Sequence, residues 1–243
     1  VDVLLGEALP APADVAGRVV VVFDVLRATT VMVAALAHGA RAVVPFAAVD
    51  AVMDAARRYG REEVRLAGER RSLPIPGFDA SNSPAAMTPA LVGGRTLLMT
   101  TTNGTAALLA THGADRTYVG ALVNLTVTTH AVATADRDVL VVCAGQERRV
   151  TLEDVVGAGL LVDGLVRGRR RKAMGDGALV ARRTARRYAA DVSRLARDSA
   201  HARSLVALGL EADVAACLAL DTLPVRAVYS DRQVTREQIS AAT

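Results

Sequence analysis

Through roughly the first 165 residues, short apolar runs of β-forming residues alternate with segments of helical periodicity, and that alternation restricts the chain to few architectures. Val19 to Phe23, Ala42 to Pro45, Val64 to Ala67, Thr96 to Thr100, Thr117 to Val119 and Val139 to Cys143 read as strands. Thr30 to Ala37, Val49 to Tyr59, Thr105 to Thr111, Asn124 to Ala133 and Leu152 to Val166 read as the helices between them. A helix between successive strands carries the chain back to the end of the sheet where the last strand began. The expected fold class is therefore α/β, a mainly parallel sheet with flanking helices. The pairs His38-Gly39 and His112-Gly113 each sit between a helix and the next strand, where glycine takes a left-handed C-cap and histidine suits the negative helix end. Beyond "RGRRRKAMGDG" the character changes to arginine-rich helix, then "SLVALGLEADVAACLAL", then an apolar strand candidate, "PVRAVY". Residues 1–166 are expected to form the α/β core and residues 167–243 a smaller helix-rich part whose last strand returns to a sheet.

With 243 residues, 51% of them hydrophobic, the chain can bury a sizeable core, and a soluble globular protein is expected. Apolar runs such as Val31 to Ala37 fall well short of the ~18 residues needed to span a bilayer, so no membrane partner is expected. The opening "VDVLLGEALP" has neither a basic n-region nor a long apolar core, and no secretory signal is expected in it. Cys143 and Cys217 give no disulfide framework and point to a reducing, cytoplasmic setting. The net charge of +4 is unevenly spread, because Arg167 to Arg203 holds 12 basic and 3 acidic residues. Such a stretch invites a nucleic-acid reading. However, Val180, Thr184, Tyr188, Val192 and Leu195 follow helical spacing, with Arg182, Arg183, Arg186, Arg187, Arg194 and Arg197 on the other positions. A solvated helix face is the expected explanation. Aromatic residues make up only 3%, with no tryptophan, which leaves few stacking platforms for single strands and disfavours nucleic acid.

Ligands of open parallel sheets bind beyond the carboxyl ends of the strands, where loops lead into helices, and the unusual residues of this chain concentrate there. "FDVLRATT" leaves one strand with Asp24 and Arg27, then offers Thr29 and Thr30 to a helix start. "AGER" leaves another with Glu69 and Arg70, ahead of the irregular "RSLPIPGFDASNSP". "TTTNGTAALL" brings Thr102, Asn103, Gly104 and Thr105 before a helix, and "VVCAGQERRVTLEDVVGAG" brings Glu153 and Asp154 into a first helical turn. Singly, each cluster reads as an N-cap, and Thr151-x-x-Asp154 has the form of a capping box with Asp in place of Glu. In combination, carboxylates supply hard oxygen ligands for Mg²⁺, while arginine, hydroxyls and helix-start N–H groups supply anion contacts. Such a set describes a site for a metal and a phosphorylated or otherwise dianionic small molecule.

Common phosphate-handling patterns are absent. No G-x-x-x-x-G-K-[ST] loop exists, and the single lysine, Lys172, falls in a basic linker. Leu26 stands where D-x-D phosphatases need their second aspartate, and His38, His112, His130 and His201 form no zinc pattern. Cys143 and Arg149 have the C-x5-R spacing of cysteine-dependent phosphatases. Glu147 inside that loop would repel a dianion, so Cys143 is expected to be a buried, inert thiol.

The segments "DVLRATT", "AGER", "GFDASNSP", "TTNGT", "CAG" with the later "LED", and "GLEADVAACLALD" resemble, in order, the motifs of the 2-phosphosulfolactate phosphatases, Mg²⁺-dependent enzymes associated with coenzyme M biosynthesis. They run from Asp24 to about Asp221, nearly the whole chain. The resemblance implies a two-part α/β fold, a magnesium site and hydrolysis of a phosphate monoester to an alcohol and phosphate. Carried over by motif, Asp24, Arg27, Glu69, Asp79, Asn82, Thr102, Asn103, Gly104, Glu153 and Asp154 would line the site. The chain departs from the family pattern at Arg71, Ser72 and Ser81, where glycines are common. Loss of glycine alters how closely the backbone approaches a ligand.

On this reading Asp24, Glu69 and one or both of Glu153 and Asp154 bind Mg²⁺, with waters completing its shell. Arg27, Thr102, Asn103 and the Gly104 N–H hold phosphoryl oxygens, with Thr29, Thr30 and Thr105 beside them. Asp79 or Asp154 is the candidate general base for an attacking water, and Asp24 is the alternative, nucleophilic carboxylate. Arg70 and Asn82-Ser83 are candidates for the second anionic end of the substrate. The expected partners are a small phosphorylated acid, 2-phosphosulfolactate or another, and a second copy of the chain in a homodimer. The competing class is a non-catalytic anion- or nucleic-acid-binding module that uses residues 167–203.

Overall fold

The computed structural model describes residues 1–167 and 173–237. Its strands are β1 Asp2–Leu4, β2 Val19–Phe23, β3 Ala42–Phe46, β4 Val64–Arg70, β5 Leu73–Pro74, β6 Ala80–Ser81, β7 Thr96–Thr100, β8 Arg116–Gly120, β9 Val139–Cys143, β10 Ala227–Ser230 and β11 Gln233–Arg236. Its helices are α1 Pro12–Val15, α2 Ala28–Ala37, α3 Val49–Ala56, α4 Pro89–Val92, α5 Gly104–Leu109, α6 Leu125–Thr134, α7 Leu152–Arg167, α8 Asp176–Ala185, α9 Leu195–Asp198, α10 Ala200–Val206 and α11 Glu211–Cys217. The strands form one sheet in the order β1-β9-β2-β8-β10-β11-β3-β7-β4-β5, with β6 beside β4. As the helix–strand alternation predicts, it is mostly parallel.

The parallel pairing falls in two blocks, β1-β9-β2-β8 and β3-β7-β4. Between them the hairpin β10–β11 pairs antiparallel with β8 on one side and β3 on the other. The C-terminal strand therefore returns to the middle of the sheet, and it brings a second strand, β11, that apolar runs do not reveal. Three successive antiparallel pairings reverse the second block relative to the first. A twist of roughly 20–25° between neighbours, accumulated over the five pairings from β2 to β7, turns that block back through roughly 100–125°. The carboxyl ends of β2 and β9 thereby converge with those of β4 and β7.

Two apolar layers hold those strand ends in place. β2 is buried along its whole length. Its period-two alternation sends Val19, Val21 and Phe23 into a core with Val156, Leu161, Leu205 and Val214, and sends Val20 and Val22 into a core with Met32, Leu36 and Leu108. The helix α2, "ATTVMVAALA", is buried from Ala28 through Leu36, as befits a helix without a polar face. Each fully buried Val or Leu contributes roughly 1.5–3 kcal/mol, so the polar segments that leave these strands start from rigid ends.

The arginine-rich stretch differs from its expected register. The spacing predicts one helix with Val180 and Thr184 inward, but α8 ends at Ala185, buries Ala178, Ala181 and Ala185, and leaves Val180 49% exposed. Gly159 supplies the reason. A Cβ there would lie 2.0 Å from the Ala181 carbonyl oxygen, so α7 and α8 approach backbone to backbone and only alanine-sized side chains fit between them. Tyr188 and Val192 are buried from the turns beyond α8, and Leu195 from the start of α9. Several arginines are used internally: Arg167, Arg182 and Arg186 converge on Asp163 at 2.7, 2.8 and 3.5 Å, and Arg194 stacks over Tyr188. Gly168 to Lys172, including the expected linker lysine, lie outside the described residues. His38 caps α2 ahead of Gly39 (φ 93°), whereas α5 ends at Leu109 and leaves His112 in the following turn rather than at the cap. No helix among the described residues is long and apolar enough to cross a membrane.

Candidate active site

The turn from β2 into α2 is tied by its own threonines. Thr29 donates from both its N–H (3.0 Å) and its hydroxyl (2.8 Å) to the Asp24 carbonyl, and the Asp24 N–H donates back to Thr29 Oγ1 at 3.1 Å. Thr30 Oγ1 donates to the Val25 carbonyl at 2.8 Å. Thr105 likewise spends its hydroxyl on the Thr101 carbonyl at 3.0 Å. All three side chains are buried and consumed by backbone, which corrects the expectation that Thr29, Thr30 and Thr105 contact substrate.

These ties leave Asp24 at the floor of a cleft of about 410 Å³ including its mouth. Leu26 and Arg27 line it from the same turn, Glu69, Arg71 and Ser72 from the end of β4, and Thr102 and Asn103 from the end of β7. Asn82, Gln146 and Glu147 add to its walls, and His201 and Leu205 enter from α10. Gly104 sets how closely the two parallel blocks meet, since a Cβ there would lie 2.5 Å from Asp24 Oδ2 and 2.6 Å from Ala28 Cβ.

Most of the carboxylates are already engaged by protein donors. Glu69 accepts from the Thr102 N–H (2.7 Å), the Ser72 N–H (2.6 Å) and the Thr102 hydroxyl (3.2 Å), so it clamps two loops together. Asp154 accepts from the Val25 N–H (2.8 Å), the Gly145 N–H (3.1 Å) and the Thr151 hydroxyl (2.7 Å). In place of the expected capping box, Thr151 thus donates its hydroxyl to the carboxylate. Glu153 accepts from Ser199 Oγ (2.7 Å) and pairs with His201 Nδ1 (2.9 Å). Asp24 accepts from the Ala28 N–H through Oδ1 (3.2 Å), and its Oδ2 has no donor among the described residues. Nor, among those residues, do three carboxylate, imidazole or thiol groups converge as a metal cage. Of the expected ligand set, Asp24 and Glu69 line the cleft, whereas Glu153 and Asp154 lie behind its lining and are held by protein donors.

Arg27 is held by a residue missing from the expected set. Its Nη1 donates to Asp213 Oδ2 at 2.6 Å and its Nη2 to the Ser72 carbonyl at 3.3 Å. Ser83 donates to Asp213 Oδ1 at 2.6 Å, so it braces this pair and does not line the cleft. Arg70 donates to the Glu69 carbonyl and Thr100 Oγ1, both at 2.8 Å, and also lies outside the lining. Asp79 accepts from the Leu66 N–H at 2.8 Å and pairs with Arg61, again outside it. Arg70 and Ser83 as contacts for a second anionic end, and Asp79 as base, are corrected accordingly. Asn82 does line the cleft, 4% exposed, and its Oδ1 has no partner among the described residues. Arg71 and Ser72 form the β4–β5 turn with φ of 51° and 66°, and both residues line the cleft.

The local electrostatics follow from burial. Burial pushes the Asp24 carboxyl up to about 6, with Glu69 and Glu153 adding to the rise and His201 and the Ala28 N–H opposing it. Burial, then the charges of Asp24 and Glu153, raise Asp154 well above the usual carboxylate range despite its hydrogen bonds. Cys143 is 1% exposed, and burial with Asp154 and Glu153 raises its thiol well above its ordinary value. A thiolate nucleophile there is disfavoured, in agreement with the expectation of an inert thiol. Against the upward push of burial, the Arg61 hydrogen bond, the Leu66 N–H and the charges of Arg61 and Arg65 hold Asp79 below the usual range.

A twisted, mostly parallel sheet whose strand ends meet at a small, polar, charge-lined cleft defines an α/β protein with its candidate ligand site at the strand ends. The family model described as 2-phosphosulpholactate phosphatase matches residues 6–232, and the chain belongs to that family of phosphatases. A protein of Symbiobacterium thermophilum named probable 2-phosphosulfolactate phosphatase is 40% identical over 226 residues, covering 93% of this chain and 97% of the relative. One of the same name from Deinococcus radiodurans is 42% identical over 203 residues, 81% of each chain. Another from Clostridium beijerinckii is 28% identical over 239 residues, 98% of this chain and 99% of the relative.

Proposed function

We propose that the protein hydrolyses a small phosphorylated hydroxy acid, with 2-phosphosulfolactate the first candidate and sulfolactate and phosphate the products, as a step of coenzyme M biosynthesis. The observation that carries this reading is the convergence of Asp24, Arg27, Glu69, Asn82, Thr102 and Asn103, from separate segments of the chain, in one cleft of the family's fold. Magnesium suits the donor chemistry as an ion held by the free Oδ2 of Asp24, because Mg²⁺ is commonly bound through one or two carboxylates together with substrate phosphate and waters. When bound, it would neutralise charge on the phosphoryl oxygens.

The chain's own groups bind and orient. Arg27, fixed by Asp213, presents its remaining N–H groups to the phosphoryl oxygens, with the Asn103 amide beside it, while the Thr102 hydroxyl stays on Glu69. Arg71 is the cation available to the second anionic end, the role first expected of Arg70. Glu69 fixes the Thr102 and Ser72 backbones and so keeps these donors preorganised. A water then attacks phosphorus in line with the departing alkoxide. The cytoplasmic setting and the homodimer are part of the proposal; sedimentation as a single 25.3 kDa species would refute the dimer.

Purified protein incubated with phosphorylated hydroxy acids, with Mg²⁺ or with chelator, tests the activity. Metal-dependent phosphate release from at least one of them is expected. No release from any member of the panel refutes the hydrolase reading, and release indifferent to chelator refutes the metal.

A further inference from the structure

We propose that His201 is a catalytic acid of this site and that Glu153, braced by Ser199, is its positioning residue. The assignment rests on the phosphatase reading and adds a group to it. His201 lines the same cleft as Asp24 and Arg27, and its ring is held at Nδ1 by Glu153 Oε1 at 2.9 Å. Glu153 is 1% exposed, and its other oxygen accepts from Ser199 Oγ at 2.7 Å. Ser199 Oγ in turn accepts from the Ala202 N–H at 3.1 Å, so the start of α10 orients the carboxylate that orients the ring. With a carboxylate at Nδ1, that nitrogen carries a proton and donates it to the hydrogen bond. Nε2 has no protein partner among the described residues, and with Nδ1 taken by Glu153 it is the ring nitrogen available to a substrate.

A carboxylate–imidazole pair with one free nitrogen beside a phosphate site is built for proton transfer. The site has a need for one. An alkyl phosphate departs as an alkoxide, the arginines of the cleft stay protonated, and Asp24 is the carboxylate assigned to the metal. Glu69 and Asp154 have their oxygens occupied by donors. In the proposed step, water oxygen bonds to phosphorus as the bond from phosphorus to the ester oxygen breaks. The ester oxygen takes the Nε2 proton of the imidazolium and leaves as the alcohol. The dihydrogen phosphate so formed gives one proton back to the neutral imidazole and departs as hydrogen phosphate. The net change is phosphomonoester plus water to alcohol plus hydrogen phosphate. The charged groups around the ring from the neighbouring elements are Asp24 and Arg27 after β2, Glu69 and Arg71 at the end of β4, Glu147 after β9, and Glu153 on α7.

The test compares His201→Gln and His201→Ala with the unaltered protein on an alkyl phosphomonoester that it hydrolyses and on p-nitrophenyl phosphate, whose leaving group needs no proton. General acid catalysis predicts a loss in kcat of about 10²–10⁴-fold on the alkyl ester and a much smaller loss on the aryl ester. Glu153→Gln should show the same asymmetry in weaker form, and added imidazole should partly restore alkyl turnover in His201→Ala. Equal losses on both esters would overturn the assignment in favour of a structural role, and so would unaltered turnover on both. If the unaltered protein cleaves neither ester nor any of the phosphorylated acids, the phosphatase reading fails and takes the role with it. If it cleaves them and the asymmetry is missing, only the role of His201 fails.

Discussion

Removing Asp213 should cost this protein more than removing any of the arginines on its surface. Arg27 and Asp213 are 3% and 6% exposed and meet at 2.6 Å, so Asp213→Ala strands a guanidinium that cannot reach bulk water. At an effective dielectric of ~20 a unit pair about 4 Å apart attracts by about 4 kcal/mol, and breaking one side of a buried pair typically costs about 3–5 kcal/mol. Ser83 loses its acceptor as well, which adds about 1 kcal/mol. We expect Asp213→Ala to be destabilised by about 4 kcal/mol in urea titrations at pH 7, or about 8–16 °C in Tm for a chain of this size. Asp213→Asn keeps one acceptor oxygen for Arg27, with its NH2 turned to donate to Ser83 Oγ, while removing the charge, and should lie between the two. Both variants should lose phosphatase turnover, because Arg27 is no longer held. A loss below about 1 kcal/mol for Asp213→Ala would refute the claim that Arg27 depends on this carboxylate. Equal losses for Asn and Ala would show that the retained acceptor contributes nothing and that the charge is what the site needs.

Other expectations are as direct. Asp24 is raised from 3.8 to about 6, so with chelator present its ionised native state is disfavoured by about 3 kcal/mol. That penalty is absent below pH 3.8 and complete above pH 6, so Asp24→Asn should abolish activity yet stabilise the metal-free protein at pH 8, the gain shrinking as pH falls; a gain independent of pH would refute the cause. Gly104→Ala places a Cβ 2.5 Å from Asp24 Oδ2 and should cost about 1–3 kcal/mol and most of kcat, whereas an active, stable variant would show that the blocks can separate there. Cys143→Ser should keep kcat within about threefold while losing about 1–3 kcal/mol of stability; loss of turnover in a folded variant would reopen a thiol role.

Strand and helix identity was legible because each is written locally. The run "VVVV" before Phe23 and the all-apolar "ATTVMVAALA" state their own burial. Asp24, Arg27, Glu69, Thr102 and Asn103 were legible as cleft residues because polar groups at the ends of apolar strands have few other reasons to be there. The register of α8 was not, because a helix pressed against Gly159 buries alanines, and alanine carries little periodic signal.

The tertiary structure alone decided which polar groups are free. Thr29, Thr30 and Thr105 look the same in sequence as Thr102, yet the first three close turns and only Thr102 faces the cleft. Asp79 and Arg70 were drawn off by neighbours in space, and Glu153 was claimed by a histidine 48 residues away. Asp213 reaches Arg27 across 186 residues of chain. A hydrogen bond is decided by distance in space, so a residue's type can nominate it for chemistry, but only the fold shows whether its donors and acceptors have already been taken.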